Sequence, residues 1–116
     1  MVSGHSNKCD DLEHIQNCIK AGAFVILSRA AASALKYGVA PEHRISVINA
    51  GRIIENYPER SRCLILGTTP DGLPFHVVVE CTGNDWITIV SNYVPDARYW
   101  EGDWATRRPG KPHFDD

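Results

Sequence analysis

An α+β domain with its helices first is the fold this chain predicts, and three observations carry the prediction. Stretches with apolar residues at helical spacing occupy residues 12–50. Strand-like runs separated by turn chemistry fill residues 63–93. The connections between those runs are too short for crossovers, which makes the strands antiparallel neighbours. The arrangement that follows is N-terminal helices packed on one face of a small antiparallel sheet.

Each element has its own justification. Asp10 or Asp11 caps a first helix whose stripe is Leu12, Ile15, Cys18 and Ile19, and Ala21-Gly22 ends it. Ala23 to Leu27 is a short apolar run, either a strand or the lead-in to the next helix. Ser28 is placed to cap a helix over Arg29 to Tyr37, closed by Gly38. Arg29, Ser33 and Lys36 share a polar face of that helix. Pro41 and Glu42 start a third helix, Ile45 and Ile48 point inward, and Gly51 ends it. Arg52 to Tyr57 is a short strand stopped by Pro58. Cys63 to Thr69, Phe75 to Cys81 and Trp86 to Tyr93 are the meander, with turns at Pro70 to Pro74 and Thr82 to Asp85. Asp96 to Trp100 can form one helical turn. Residues 1–104 then make a single domain and 105–116 a loose tail.

Composition narrows the function classes. A 116-residue chain that is 43% hydrophobic supports one core. No apolar run reaches the roughly 20 residues that span a bilayer, and the N-terminus MVSGHSNKCDD lacks a secretory h-region, so a cytoplasmic setting is expected. The four cysteines form no CxxC pair; Cys18, Cys63 and Cys81 sit in apolar patterns and read as small core residues. A net charge of −2 argues against broad electrostatic capture of nucleic acid, while leaving local basic sites open. No phosphate loop, HExxH, GxSxG or paired metal spacing is present, so no cofactor is expected.

The chemistry-bearing candidates follow from strand alternation. Phe75, Val77, Val79 and Cys81 form the core face of one strand, which puts His76 and Glu80 on a more polar face. There an imidazole can act as acid or base near neutrality. Ile87 and Ile89 place Tyr93 nominally on the core face and Asn92 on the polar one. Tyr93 therefore reaches His76 only where the strand twists or kinks near Pro95. Glu55 is a candidate base in the 52–57 strand. Arg29 and Lys36 can hold a phosphate at a helix start. Arg98, Trp100, Trp104, Arg107 and Arg108 interleave basic and aromatic residues, a pattern that suits single-stranded nucleic acid and also a packed lid.

Several of these words occur together in a family order. They are Ser28-Arg29-Ala30-Ala31, Gly38-Val39, Gly51-Arg52-Ile53-Ile54-Glu55-Asn56-Tyr57-Pro58, Cys63-Leu64-Ile65-Leu66-Gly67, Pro74-Phe75-His76-Val77-Val78-Val79, and Tyr93-Val94-Pro95-Asp96 with Trp100. Residues 26–104 thereby resemble the domain-of-unknown-function family 4258, and the layout is similar to the BrnT and RelE-like toxins. The resemblance implies a metal-independent endoribonuclease of a toxin–antitoxin pair, with RNA as substrate and a cognate antitoxin protein as partner. Under it His76, Tyr93 and Glu55 are catalytic candidates, and Arg29, Lys36, Arg98 and Trp100 contact RNA. Ala30 stands where the family carries a histidine. If that histidine is catalytic, this chain is inactive as written. The alternative is a non-catalytic protein- or RNA-binding module, which the acidic balance and Ala30 favour. Oligomeric state stays open.

Overall fold

The computed structural model describes residues 8–81 and 85–110. The helices are α1 (Leu12–Lys20), α2 (Ser28–Lys36) and α3 (Pro41–Asn49). The strands are β1 (Phe24–Ile26), β2 (Arg52–Tyr57), β3 (Arg62–Thr68), β4 (Pro74–Glu80) and β5 (Ile87–Tyr93). They form one sheet in the order β1-β5-β4-β3-β2. The α+β class holds, with the helices on the N-terminal side. The turn expected at Thr82 to Asp85 falls mostly outside the described residues, as does the N-terminal segment before Lys8.

β2 to β5 are the antiparallel meander. β1 departs from the all-antiparallel expectation by pairing parallel to β5, with Phe24 opposite Ile87 and Ile26 opposite Ile89. The run left open between strand and helix lead-in is therefore an edge strand. Its partner lies at the far end of the meander, so no tight turn dictates its direction.

Asp11 caps α1, its side chain accepting from the His14 N–H at 3.2 Å. Ser28 is not the α2 cap. Leu27 takes that place with an extended backbone, because its N–H is still held by the Ile89 carbonyl at 3.1 Å, and Ser28 becomes the first helical residue. α3 lies close against β3. A Cβ on Gly51 or Gly67 would run into the Val47 carbonyl, so glycine at these positions sets how near the helix comes.

The sheet is buried on both faces. The helix face carries the main core, including Ile15, Ile19, Ala30, Ala34, Val47, Ile48, Cys63, Ile65, Phe75, Val77, Val79, Ile87 and Ile89. Cys81 belongs to this face but is not a free thiol as the sequence implied; it forms a disulfide with Cys9, which lies in a 3-10 turn before α1. The outer face carries a second cluster of Leu64, Val78, Val90 and Trp100, with Ile54, Tyr57, Tyr93, Tyr99 and Trp104 packed against it. The segment after β5 supplies that cover. One helical turn from Asp96 leads to Trp100, whose backbone bridges to Arg107.

Two β-bulges decide which side chains reach the outer face. In β2 the register shifts between Ile53 and Glu55. Ile53 packs into the main core, whereas Ile54 and Tyr57 belong to the outer cluster. In β5 the register shifts opposite Val78 and Val79: Ile89 pairs with Val79 and Ser91 with Val78, leaving Val90 extra. An added residue inverts the alternation beyond it. Asn92 therefore points to the helices and Tyr93 to the outer face, the reverse of the simple alternation.

Candidate functional site

His76 lies at the centre of the outer cluster and is fully buried. The expectation of an open polar face fails here. Alternation places His76 as foreseen, opposite the main core, but that face is covered by the segment after β5. Its Nε2 lies 2.6 Å from the Trp104 carbonyl, and its Nδ1 3.1 Å from the Tyr93 hydroxyl. A carbonyl only accepts, so Nε2 carries a proton, and the neutral ring takes the Tyr93 proton at Nδ1. His76 also meets Tyr93 edge-on at 5.1 Å between ring centroids and Trp100 at 4.5 Å. His76 and Tyr93 are register partners across β4 and β5.

A second set adjoins the first. Arg107 donates from Nε to Glu55 Oε2 at 2.8 Å and from Nη2 to Glu55 Oε1 at 3.0 Å. The Tyr57 hydroxyl also bonds Glu55, and the Arg107 guanidinium stacks over Trp100 at 4.6 Å. Burial pushes the Glu55 carboxyl up, but the Arg107 and Tyr57 hydrogen bonds and the Arg107 charge outweigh it and hold the carboxyl below its ordinary value. Burial and the bond to Glu55 push the Tyr57 phenol up. The Glu55 bond likewise raises Arg107. Both members of the Glu55–Arg107 pair keep partial solvent exposure, 21% and 32%. The pair is the rim of the cluster and His76 its floor.

The cover is held at a strained point. Trp104 has φ 59°, a left-handed conformation that a bulky residue rarely adopts. Such backbone costs about 1–3 kcal/mol and survives where its surroundings fix it. Here the Trp104 N–H bonds the Glu101 carbonyl at 2.9 Å, and its own carbonyl takes the His76 proton. The Arg108 N–H bonds Tyr99 O at 2.8 Å, and the Arg108 side chain bonds Ala97 O and Glu101. Of the tail expected to be loose over 105–116, residues 105–110 carry these contacts, and 111–116 lie outside the described residues.

The remaining candidates divide between the two faces. Ala30 is fully buried on the helix face, across the sheet from His76. Its carbonyl accepts from Asn92 Nδ2 at 2.9 Å and from Arg44 Nη2 at 3.4 Å, while Arg44 Nε donates to Asn92 Oδ1 at 2.7 Å. Arg44 is 2% exposed, and burial lowers its guanidinium below the ordinary value. Arg29 is exposed at the start of α2, its Nε donating to the carbonyl of the bulged Val90 at 3.0 Å. Lys36 lies over its neighbour Tyr37. Arg98 is exposed and forked onto Asp96, with Nη2 to Oδ2 at 2.7 Å. Trp100 is fully buried and offers no face to a base in this conformation. His76, Tyr93, Glu55 and Trp100 are thus brought together, and Ala30, Arg29 and Lys36 are not part of that group.

Arg107 and Tyr57 are the members that sequence reasoning did not single out for the site. Arg107 was visible as part of the basic-aromatic interleave. Tyr57 was visible only as the residue two along from Glu55.

The family model described as Domain of unknown function (DUF4258) matches residues 11–94, and the chain belongs to that family. Neither a curated protein nor a solved structure matches the chain.

Proposed function

We propose that this member of the family is a metal-independent endoribonuclease of the toxin–antitoxin kind, with a BrnT/RelE-like layout, seen here in a closed form. The observation that carries the reading is the convergence of His76, Tyr93, Glu55, Tyr57 and Arg107 on one sheet face. Two bulges build that convergence. The group combines an acid–base imidazole, a phenol that bonds it, and a carboxylate–guanidinium pair. In the reaction the ribose 2′-oxygen bonds to phosphorus and the bond to the 5′-oxygen breaks. His76 takes the 2′-hydroxyl proton, Tyr93 supplies one to the leaving oxygen, and Arg107 meets the charge on the phosphorane. In the closed form Trp100 and the Trp104 carbonyl occupy His76, so RNA enters only when the segment after β5 moves.

Ala30 takes no part in this proposal. A histidine lost from the helix face removes no member of the His76 group.

A second reading, a non-catalytic protein- or RNA-binding module, is favoured by the full burial of His76 and by the occupation of both ring nitrogens. On that reading the network is a packing device. No helix among the described residues is long and apolar enough to cross a membrane. We place the enzyme in the cytoplasm, where reducing conditions would keep Cys9 and Cys81 as thiols or only transiently joined. Growth on induction separates the readings. The chain is expected to slow growth and His76→Ala to relieve it at equal protein level. Equal growth of induced and uninduced cells, with the protein present and folded, supports the binding module.

A further inference from the structure

A second site lies away from the His76 group, between the α2–α3 connection and the turn that joins β3 to β4. A cavity of about 300 Å³ opens there, with Tyr37 and His43 on one side and Thr69 and Asp71 on the other. Thr69 builds the turn. Its N–H bonds the Leu73 carbonyl at 2.9 Å, its carbonyl accepts from the Gly72 N–H at 2.8 Å, and its Oγ1 accepts from the Leu73 N–H at 3.1 Å. The residue is 6% exposed, yet its hydroxyl proton goes to no described residue. A buried hydroxyl ordinarily gives that proton to an acceptor.

The other three side chains are not spent on the fold either. Those of Tyr37, His43 and Asp71 make no hydrogen bond or ion pair among the described residues. Tyr37 is 38% exposed, His43 is half-buried and Asp71 is exposed. Three groups that can donate and one carboxylate that only accepts therefore line one space with hydrogen-bonding capacity in hand. Asp71 calls for a ligand with donors and disfavours an anionic group. Thr69 calls for an acceptor, which a guanidinium or ammonium group does not have. The Tyr37 ring suits a planar partner.

We propose that this cavity binds a guanine base, carried either by a free nucleotide or by a residue of single-stranded RNA. The N1–H and the N2 amine would fork onto the Asp71 carboxylate, O6 and N7 would accept from Thr69 and His43, and Tyr37 would stack on the ring. Guanine alone of the four bases sets two donors side by side. Adenine and cytosine place an acceptor beside the amine, and uracil places its donor between two acceptors, so each would turn an acceptor towards a carboxylate oxygen. Lys36, whose ammonium lies 5.9 Å from the Tyr37 ring centroid, would meet the phosphate. Binding here does not depend on whether His76 cleaves RNA.

The test is NMR titration of the whole chain with the four nucleoside 5′-monophosphates, with ribose 5′-phosphate, and with single-stranded uridine heptamers with or without one central guanosine. A guanosine probe is expected to shift amides within residues 37–43 and 69–73, and to bind at least about tenfold more tightly than its counterpart without guanine. Asp71→Asn turns one acceptor into a donor and is expected to remove that preference. Its melting temperature should stay that of wild type, because Asp71 is exposed and bonds no described residue. Tighter binding of the guanosine heptamer than of the monophosphate assigns the ligand to RNA, and the reverse order to a free nucleotide; either supports the site. Equal binding of all four monophosphates overturns the proposal, as do the same shifts from ribose 5′-phosphate, shifts confined to other residues, or a guanine preference that survives in Asp71→Asn. Failure of both guanosine probes to bind overturns it as well.

Discussion

His76 is fully enclosed and Ala30 is equally enclosed, but on opposite faces of one sheet. This placement keeps position 30 apart from the His76 group. An imidazole at position 30 would have to enter a filled core beside the Arg44 guanidinium, which already lies 3.4 Å from the Ala30 carbonyl. Ala30→His is therefore predicted to destabilise the fold by about 1–3 kcal/mol, as overpacked cores do, and to leave RNA cleavage no higher. Chemical denaturation and a cleavage assay on the same preparation check both halves. At Glu55 the sign of the pH effect follows from its lowered carboxyl. The folded chain binds that proton less readily than the unfolded chain does, so protonation favours unfolding. The contribution is complete above the usual carboxylate range near pH 4 and fades as pH falls through it. Glu55→Gln should flatten the acid limb of a melting-temperature profile between about pH 3 and 5, and leave its neutral limb parallel to wild type. An unchanged acid limb would mean that the Glu55–Arg107 pair does not form in solution.

At the scale of elements, what was legible in the sequence and what was not divide at the bulges. Periodicity located all three helices, and turn chemistry located the meander. Strict alternation also placed His76 on the correct face, because β4 has no irregularity before that residue in its pairing with β3. Alternation failed for Tyr93, since an extra residue at Val90 inverts the parity beyond it, and nothing in the run ITIVSNY marks that insertion. The outer cover was legible only as one of two alternatives, a packed lid beside a nucleic-acid site, for a different reason. It is made by 95–110, a segment with turn and loop composition, and its packing depends on distant residues such as Glu55, Tyr57 and His76. Arg44 was missed because a charge at that point of a helix ordinarily faces water. The approach of α3 to β3 yields a further prediction. Gly67→Ala would drive a Cβ into the Val47 backbone, and backbone cannot swing aside as a side chain can. A loss of about 1–3 kcal/mol in urea denaturation is expected, with little change in m-value.

Over the whole molecule, the disulfide closes the chain from its first described turn to the end of β4, a sequence separation of 72. Loop-closure entropy for that separation corresponds to roughly 4 kcal/mol, and measured effects of removing such bonds run from about 2 to 5 kcal/mol. Reduction with dithiothreitol is predicted to lower stability within that range and to loosen the N-terminal turn first. Among the remaining thiols, burial pushes Cys63 up to about 12, so it is a poor nucleophile for attack on the pair. A chain whose stability is the same in reductant would mean that the two cysteines are not joined in solution.

The central claim is that the His76 group is a reaction centre and not packing alone. Incubation of the purified chain with end-labelled RNA in EDTA, followed by analysis of the product ends, tests it most directly. The account predicts cleavage that leaves 2′,3′-cyclic phosphates, falling at least about 100-fold in His76→Ala, with the circular dichroism spectrum of that variant unchanged. No cleavage by the folded wild-type chain, or equal cleavage by wild type and His76→Ala, would contradict it.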